Sequence, residues 1–283
     1  MSITGSYTKP RTLAKAVTLL AAGDGRILSG GTDFYPAQGE RVVRDRVVDI
    51  SALGELRSVS RDGNFLRIGG LTTWSDILRA PLPRCFDALK SAAREVGSVQ
   101  IQNRGTVAGN LCNASPAADG VPPLLALDAE VELVSHRGTR RMALAEFIVG
   151  NRKTLRKVEE LLTAVLVPRE LENAASSFVK LGARRYLVIS IAMVAAVIQT
   201  DDAGRVANTR VAVGSCSAVA RRLPALEAAL TGTPAGGGFR GRVRREHLAP
   251  LSPINDMRAT AEYRTDAALT LVERALNQCI GMG

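Results

Sequence analysis

The sequence predicts an α+β protein built from two units, and three observations carry this prediction. Short apolar runs alternate with helical patterns in the first 170 residues, whereas the later stretch has three apolar strands followed by two helical segments. Residues 169–175, polar and alanine-rich, lie between the two stretches and are typical of a linker. With 283 residues, 46% of them hydrophobic, the chain is long enough for both units to bury their own cores.

The first unit begins with a capped helix. Thr12 precedes apolar residues at helical spacing from Leu13 to Leu20, and Gly23 is placed to end the helix. Two strands and a glycine turn are predicted next, at residues 26–29, 47–50 and 29–33. Farther along, the patterns predict a strand at 65–68, a helix starting at Thr73 or Ser75, a helix at 85–96, a helix starting at Pro122-Pro123, a hairpin at 131–142 around Gly138 and a strand at 164–167.

Residues 97–110 carry small and polar residues too densely for a core element, so a loop is predicted there. The second unit is predicted to contain antiparallel strands covered by helices. These strands are expected at 177–181, 189–198 and 210–214, and the helices at 225–230 and 258–279.

Composition narrows the possible functions. The longest apolar run, residues 189–198, is too short to span a bilayer, and the N-terminus lacks a signal-peptide pattern, so a cytoplasmic protein without a transmembrane segment is expected. His136 and His247 are the only histidines, which leaves little material for a metal site or a histidine-based triad. The cysteines form no C-x-x-C pair and are predicted to be buried free thiols: Cys85, Cys112, Cys216 and Cys279. Redox chemistry would therefore need an organic cofactor.

The net charge of +10 raises the question of nucleic acid, but the arginines are dispersed and only 4% of residues are aromatic, which leaves few stacking platforms. The one basic cluster follows Gly236-Gly237-Gly238 and consists of Arg240, Arg242, Arg244 and Arg245. It fits a solvated loop or a surface that docks a partner.

Two glycine-rich segments are the most informative feature. Residues 29–33, Ser-Gly-Gly-Thr-Asp, follow a strand and can present successive amides to an anion, and residues 105–110, Gly-Thr-Val-Ala-Gly-Asn, allow close backbone approach. Neither is a G-x-G-x-x-G fingerprint or a nucleoside-triphosphate loop. Each alone is weak, but together they predict one shared diphosphate ligand, to which each amide could contribute about 1.5 to 3 kcal/mol.

The run from Gln100 to Asp119, QIQNRGTVAGNLCNASPAAD, resembles the signature of the FAD-binding subunits of the xanthine dehydrogenase and carbon monoxide dehydrogenase family of molybdenum hydroxylases. Four other segments agree with the family in order, residues 7–34, 48–77, 177–185 and 252–276, so the resemblance covers nearly the whole chain. Ala108 departs from the usual pattern, where glycine is common, and so does Ser29, where alanine is usual.

The resemblance implies a para-cresol methylhydroxylase-type FAD-binding domain at residues 1–170, in two α+β parts of about 1–53 and 54–170, and a C-terminal α+β domain at 176–283 with a small antiparallel sheet and helices. It implies FAD as the cofactor, and the lack of histidine near either glycine segment indicates noncovalent binding. Neither a catalytic residue nor a metal ligand is expected on this chain.

The resemblance also assigns residues to the cofactor. The diphosphate and adenosine side would be lined by Arg26, Ile27, Leu28, Ser29, Gly30, Gly31, Thr32, Asp33 and Phe34. The diphosphate and ribityl region would be bound by Gly105, Thr106, Ala108, Gly109, Asn110 and Asp119, with Leu162 and Lys180 on the far side.

Two of these assignments, and the role of one further residue, leave alternatives open. A cation at Lys180, near the pyrimidine end of the flavin, would raise its potential; otherwise Lys180 is a solvated charge. Asp119 could instead cap the helix beginning near Val121. Tyr186 could shield one face of the ring or be an ordinary core or surface residue.

The implied function is electron transfer from [2Fe-2S] clusters of a small partner subunit through FAD to NAD, a quinone or oxygen. A large molybdopterin subunit would hydroxylate the substrate, and the complex is expected to be a dimer of heterotrimers. One alternative is a stand-alone FAD-dependent oxidoreductase, although no convincingly positioned acid or base is evident. The other is a basic nucleic-acid-binding module, which would be colourless and bind in a salt-dependent way.

Overall fold

The protein was analysed as a computed structural model that describes residues 5–282. The strands are β1 (Tyr7–Thr8), β2 (Gly25–Leu28), β3 (Arg46–Asp49), β4 (Val59–Asp62), β5 (Phe65–Gly69), β6 (Glu130–Ser135), β7 (Gly138–Ala143), β8 (Ile148–Gly150), β9 (Lys153–Thr154), β10 (Leu161–Pro168), β11 (Ala175–Leu181), β12 (Ala192–Thr200), β13 (Val206–Gly214) and β14 (Arg221–Arg222). The α-helices are α1 (Leu13–Leu20), α2 (Phe34–Gln38), α3 (Trp74–Arg79), α4 (Asp87–Glu95), α5 (Val99–Arg104), α6 (Val107–Asn113), α7 (Val121–Ala126), α8 (Leu144–Phe147), α9 (Pro224–Leu230) and α10 (Ala261–Cys279).

A small parallel sheet, in the order β1-β3-β2, forms the N-terminal part. Helix α1 begins as predicted, because the Thr12 hydroxyl accepts a hydrogen bond from the Lys15 amide at 3.3 Å. Its buried face, Ala16 and Leu20, packs with Val48 of β3 in a core of its own. Strand β2 of this sheet ends at Leu28, directly before the first glycine segment.

The second sheet is antiparallel, in the order β4-β5-β10-β6-β7, and a larger core fills the space between it and helices α3, α4, α6 and α7. The hairpin β6–β7 is confirmed. The predicted loop at 97–110 is wrong, because most of that segment forms α5 and α6. Its small polar residues are helix caps: the Ser98 hydroxyl accepts from the Ile101 amide at 3.4 Å, and the Thr106 hydroxyl accepts from the Gly109 amide at 3.0 Å.

The third sheet is antiparallel, in the order β11-β12-β13-β14, and both of its faces are buried. On β12, Met193, Ala195 and Val197 join the larger core, whereas Val194 and Ala196 pack with α9 and α10 in a third core. This alternation follows the two-residue period of a strand. It explains why residues 189–198 form a continuous apolar run in the sequence.

The connection between the two stretches is not an exposed linker. Residues Arg169–Leu171 form a 3-10 turn, and Leu171 and Ala174 are fully buried in the larger core. The prediction of a linker at residues 169–175 is wrong because a short turn that packs against a core can have the same polar and alanine-rich composition as a linker. The third sheet is therefore packed directly against the helices of the first stretch.

The basic loop is exposed but partly neutralised. Arg245 forms an ion pair with Asp266 at 2.9 Å, and the Gly241 amide donates to Glu273 at 3.2 Å. Val243 anchors the loop in the third core. These contacts fit a solvated loop attached to α10, and they do not indicate which partner could dock there.

The contacts of Asp76 at the start of α3 lead to a prediction about the stability of the protein. Thr73 and Asp76 form a capping box, and Asp76 also accepts two hydrogen bonds from Arg57, at 2.7 and 3.0 Å. Burial opposes ionisation of this carboxyl, but the hydrogen bonds from Arg57 and Thr73 outweigh it and lower the pKa of Asp76 from 3.8 to about 2. We expect D76N to lose about 1 kcal/mol of the free energy of unfolding at neutral pH.

The sign of the pH dependence follows from the lowered pKa. The contribution of Asp76 is fully present above its unfolded pKa of 3.8 and is lost as the pH falls toward about 2. The free energies of unfolding of the wild type and D76N, measured by urea denaturation, should therefore converge as the pH falls from 3.8 toward about 2. D202N is the control, since Asp202 is exposed and forms no ion pair within residues 5–282. A D76N deficit that does not change with pH would contradict the argument.

Candidate functional site

A cavity of about 790 Å³ lies between the end of β2 and the α5–α6 pair. This volume is in the range of cofactor sites. Both glycine segments contribute to its wall. Of the predicted site residues, those that line it are Arg26, Ile27, Ser29, Gly30, Gly31, Thr32, Asp33, Phe34, Gly105, Thr106, Ala108, Gly109, Asn110 and Leu162.

The two glycine segments touch each other directly. A Cβ atom at Gly30 would overlap the carbonyl oxygen of Arg104 and lie 2.7 Å from its carbonyl carbon, so only glycine fits this approach. The hydroxyls of Ser29 and Thr106 are 3.1 Å apart and share a hydrogen bond. The α5–α6 junction is held in turn by α3, because the Trp74 amide donates to the Gly105 carbonyl at 3.2 Å.

Several backbone donors of the cavity wall are free. Within residues 5–282, the amides of Gly30, Gly31, Thr32 and Ala108 donate no hydrogen bond to protein. Gly31 has φ +79°, a left-handed conformation that favours glycine. Amides held in place without a protein acceptor are the donors that an anionic ligand needs.

Apolar side chains also line the cavity, among them Trp74, Leu161 and Leu162. Asn110 also lines the cavity, and its side-chain oxygen is buried without a hydrogen-bond partner among the described residues. The donor set and the apolar wall fit FAD, because a dinucleotide carries a charged diphosphate between ring systems that need apolar contact.

Asp119 and Lys180 do not line the cavity, and they form a buried ion pair instead. The Lys180 ammonium lies 2.7 Å from one carboxylate oxygen of Asp119, and Ser190 donates to the other at 2.9 Å. Burial raises the pKa of the Asp119 carboxyl, and the Lys180 and Ser190 contacts oppose that rise. Only 7% of the Lys180 side chain is exposed, so the solvated-charge alternative is wrong.

The helix-cap alternative for Asp119 is also wrong, because Gly120 is the N-cap residue of α7 and no side chain caps this helix. Leu28 does not line the cavity either, since its side chain is buried in the protein. Tyr186 is 63% exposed and its hydroxyl accepts from Arg185 at 3.0 Å, so in this structure it covers neither the cavity nor a core.

The sequence reasoning missed several lining residues: Trp74, Cys112, Asn113, Arg152 and Arg156. Asn113 lies inside the quoted signature run and could have been found there. It donates to Asp33 at 2.8 Å and so joins the end of α6 to the first glycine segment. Trp74 lies within residues 48–77, which also resemble the family, whereas the two arginines lie outside every segment that carries the resemblance.

Three of the cysteines are buried as predicted, whereas Cys112 is only half-buried and lines the cavity. Burial raises the pKa of the Cys112 thiol to about 11, so it stays protonated at neutral pH. Within residues 5–282, no group of three or more His, Cys, Asp or Glu side chains is arranged to hold a metal ion. No helix in the same range has the length and apolar character to cross a membrane.

Comparison with known proteins identifies the family. The sequence model for the FAD binding domain in molybdopterin dehydrogenase matches residues 2–170, and that for the CO dehydrogenase flavoprotein C-terminal domain matches residues 177–279. The nicotinate dehydrogenase FAD-subunit of Eubacterium barkeri is 38% identical over 206 residues, which is 70% of each chain. The putative xanthine dehydrogenase FAD-binding subunit of Escherichia coli is 31% identical and covers 97% of this chain and 96% of its own.

The solved structures agree with the sequence comparisons. A chain of carbon monoxide dehydrogenase from Hydrogenophaga pseudoflava superposes with a TM-score of 0.89 at 27% identity, covering 100% of this chain and 99% of its own. The mixed helix and sheet fold is thus shared over the full length. The resemblance inferred from the signature run is confirmed, and the chain belongs to the family of FAD-binding subunits of molybdopterin dehydrogenases.

Proposed function

We propose that this chain binds FAD noncovalently in the cavity and passes electrons through it. The observation that carries the proposal is a set of four amides on the cavity wall, at Gly30, Gly31, Thr32 and Ala108, that donate to no acceptor among the described residues. Hydrogen bonds to a charged phosphate are roughly twice as strong as neutral ones. Four such amides, each contributing about 1.5 to 3 kcal/mol, are enough to hold a diphosphate tightly.

The residues of the cavity divide by chemistry. The first glycine segment, with Arg26 and Phe34, is proposed to hold the diphosphate and adenosine side. Thr106, Gly109 and Asn110 are proposed to hold the diphosphate and ribityl region, and Leu162 to face the ring. Bound FAD supplies the exchange of electrons between a one-electron donor and an acceptor. The chain's own residues position the ring and surround it with apolar side chains.

Asp119 and Lys180 are proposed to act on the cofactor from behind the wall. Their charges are paired with each other, so the protein would present a buried ion pair rather than a lone cation. A paired Lys180 would raise the flavin potential less than a free ammonium would, because Asp119 offsets its field.

The names of the relatives, FAD-subunit and FAD-binding subunit, support a role within a larger complex. We propose a small [2Fe-2S] subunit as the electron donor, a large molybdopterin subunit as the site of substrate hydroxylation, and a dimer of heterotrimers in the cytoplasm. NAD, a quinone or oxygen would take the electrons. The chain would divide into a para-cresol methylhydroxylase-type domain at 1–170, in parts 1–53 and 54–170, and a C-terminal domain at 176–283.

Titration of the flavin-free chain with FAD tests the first step. We expect the protein to take up FAD in equimolar amount, to become yellow, and to release all of the flavin into solution on denaturation. Failure of the folded chain to take up flavin would refute the proposal. Flavin that stays with the denatured chain would refute noncovalent binding.

A second measurement separates the subunit from a stand-alone oxidoreductase. We expect the flavin of the isolated, FAD-loaded chain to remain oxidised with organic substrates. It should be reduced only when the iron–sulfur and molybdopterin subunits are added. Substrate-dependent reduction of the isolated chain would favour the stand-alone alternative.

A further inference from the structure

Two arginines on the wall of the cavity have no carboxylate partner in the part of the chain that the structure describes. Arg152 lies between β8 and β9, Arg156 follows β9, and neither forms an ion pair within residues 5–282. By contrast, Arg26 on the same wall is paired with Asp45 at 2.6 Å. An unpaired cation at the wall of a concave site is a candidate for the charge of an anionic ligand.

The two arginines differ in how their guanidinium groups are used. Arg156 donates from one nitrogen to the carbonyls of Lys157, Val158 and Glu160, at 2.9, 3.3 and 2.7 Å, so it braces its own loop. The Arg152 guanidinium donates only to the side-chain oxygen of Asn113 among the described residues. A guanidinium has five N–H donors, so most of those on Arg152 are free.

Arg152 is also held in place. Its φ of +54° is left-handed, which is uncommon for a residue with a side chain, and its amide donates to the Ala114 carbonyl at the end of α6 at 2.9 Å. Asn113, the acceptor of its guanidinium, donates in turn to Asp33 of the first glycine segment. The chain Arg152–Asn113–Asp33 thus ties the guanidinium to the loop that carries the free amides.

From this arrangement we infer that Arg152 is a diphosphate-binding residue, which supplies the positive charge that the glycine segments lack. The inference rests on the proposed binding of FAD in this cavity. The amides of both segments are neutral donors, and the carboxylate of Asp33 adds negative charge close to them. A diphosphate brought into this site needs a counter-charge, and the Arg152 guanidinium, held by its hydrogen bond to Asn113 and by the backbone bond of Arg152 to Ala114, is positioned to provide it.

The test compares three variants in titrations of the flavin-free full chain with FAD and with riboflavin, which has the ring but no diphosphate. R152Q should weaken FAD binding by about tenfold to a hundredfold, the range expected for loss of a charge-assisted hydrogen bond, and leave riboflavin binding unchanged. R152K should stay within about threefold of the wild type, since a positive charge remains. K153Q is the matched control, because Lys153 is the exposed neighbouring cation and does not line the cavity.

Each outcome decides the inference separately from the proposed function. If the wild-type chain does not bind FAD, the proposed function fails. If it binds FAD and R152Q binds equally well, the assignment of Arg152 fails alone. Equal loss of FAD and riboflavin affinity in R152Q, or an R152K variant as weak as R152Q, would mean that Arg152 only supports the wall through Asn113, and would also overturn the charge assignment.

Discussion

Replacement of Gly30 by alanine is expected to weaken FAD binding by at least about a hundredfold, the cost of losing two charge-assisted hydrogen bonds. Gly30 does not have a left-handed φ, so the alanine backbone itself is allowed. The effect comes from the overlap of its methyl group with the Arg104 carbonyl, which would force the two glycine segments apart. We also expect the overpacking to lower the free energy of unfolding by about 1 to 3 kcal/mol. Equilibrium titration with FAD and urea denaturation measure the two effects.

The control for this substitution is G237A. Gly237 is exposed in the loop before the basic cluster, and a Cβ there would meet no atom within 4 Å. The G237A variant should bind FAD like the wild type, because it makes the same glycine-to-alanine change at a residue that does not line the cavity. If G30A binds FAD as tightly as G237A does, FAD binding does not depend on the close contact between the two glycine segments.

Replacement of Lys180 by methionine is expected to lower the free energy of unfolding by about 3 to 5 kcal/mol, because it leaves a buried carboxylate without its counter-charge. Asp119 and Lys180 are both nearly inaccessible to solvent. Asp119 lies in the turn between α6 and α7 and Lys180 lies on β11, so the pair joins the signature segment to β11. Urea denaturation of the flavin-free protein at neutral pH measures the loss.

The pH dependence of this loss follows from the direction of the Asp119 pKa. Burial raises that pKa in the folded protein, and removal of Lys180 takes away an interaction that opposes the rise. A group with a raised folded pKa favours the folded state increasingly as the pH falls. The K180M deficit should therefore shrink as the pH is lowered from 7 toward the unfolded value of 3.8.

The double variant D119N/K180M separates charge from packing. It removes both charges, keeps an acceptor for Ser190, and should recover most of the stability lost in K180M. A double variant as unstable as K180M would show that the lysine acts through its packing. In the FAD-loaded proteins, a flavin midpoint potential that is the same in K180M and the wild type would remove any role for Lys180 in tuning the cofactor.

Local patterns were enough to predict many elements. Helix α1 with its Thr12 cap, the β6–β7 hairpin and the proline start of α7 all depend on neighbours a few residues apart, so the sequence carries their signals directly. The prediction for residues 97–110 was wrong although its signal was present. Small polar residues such as Ser98 and Thr106 are typical of loops, but here they cap two short helices.

The sequence by itself also determined the family and the two segments that line the cavity, because these segments are continuous runs with a specific order of glycines and polar residues. Only the tertiary structure decided which other residues meet them. Lys180 turns to Asp119 rather than to the cavity, and Arg152 reaches it from a distant hairpin. The physical reason is that ion pairing and burial depend on which side chains meet in three dimensions, and residues 61 positions apart, such as Asp119 and Lys180, leave no periodic trace of their contact.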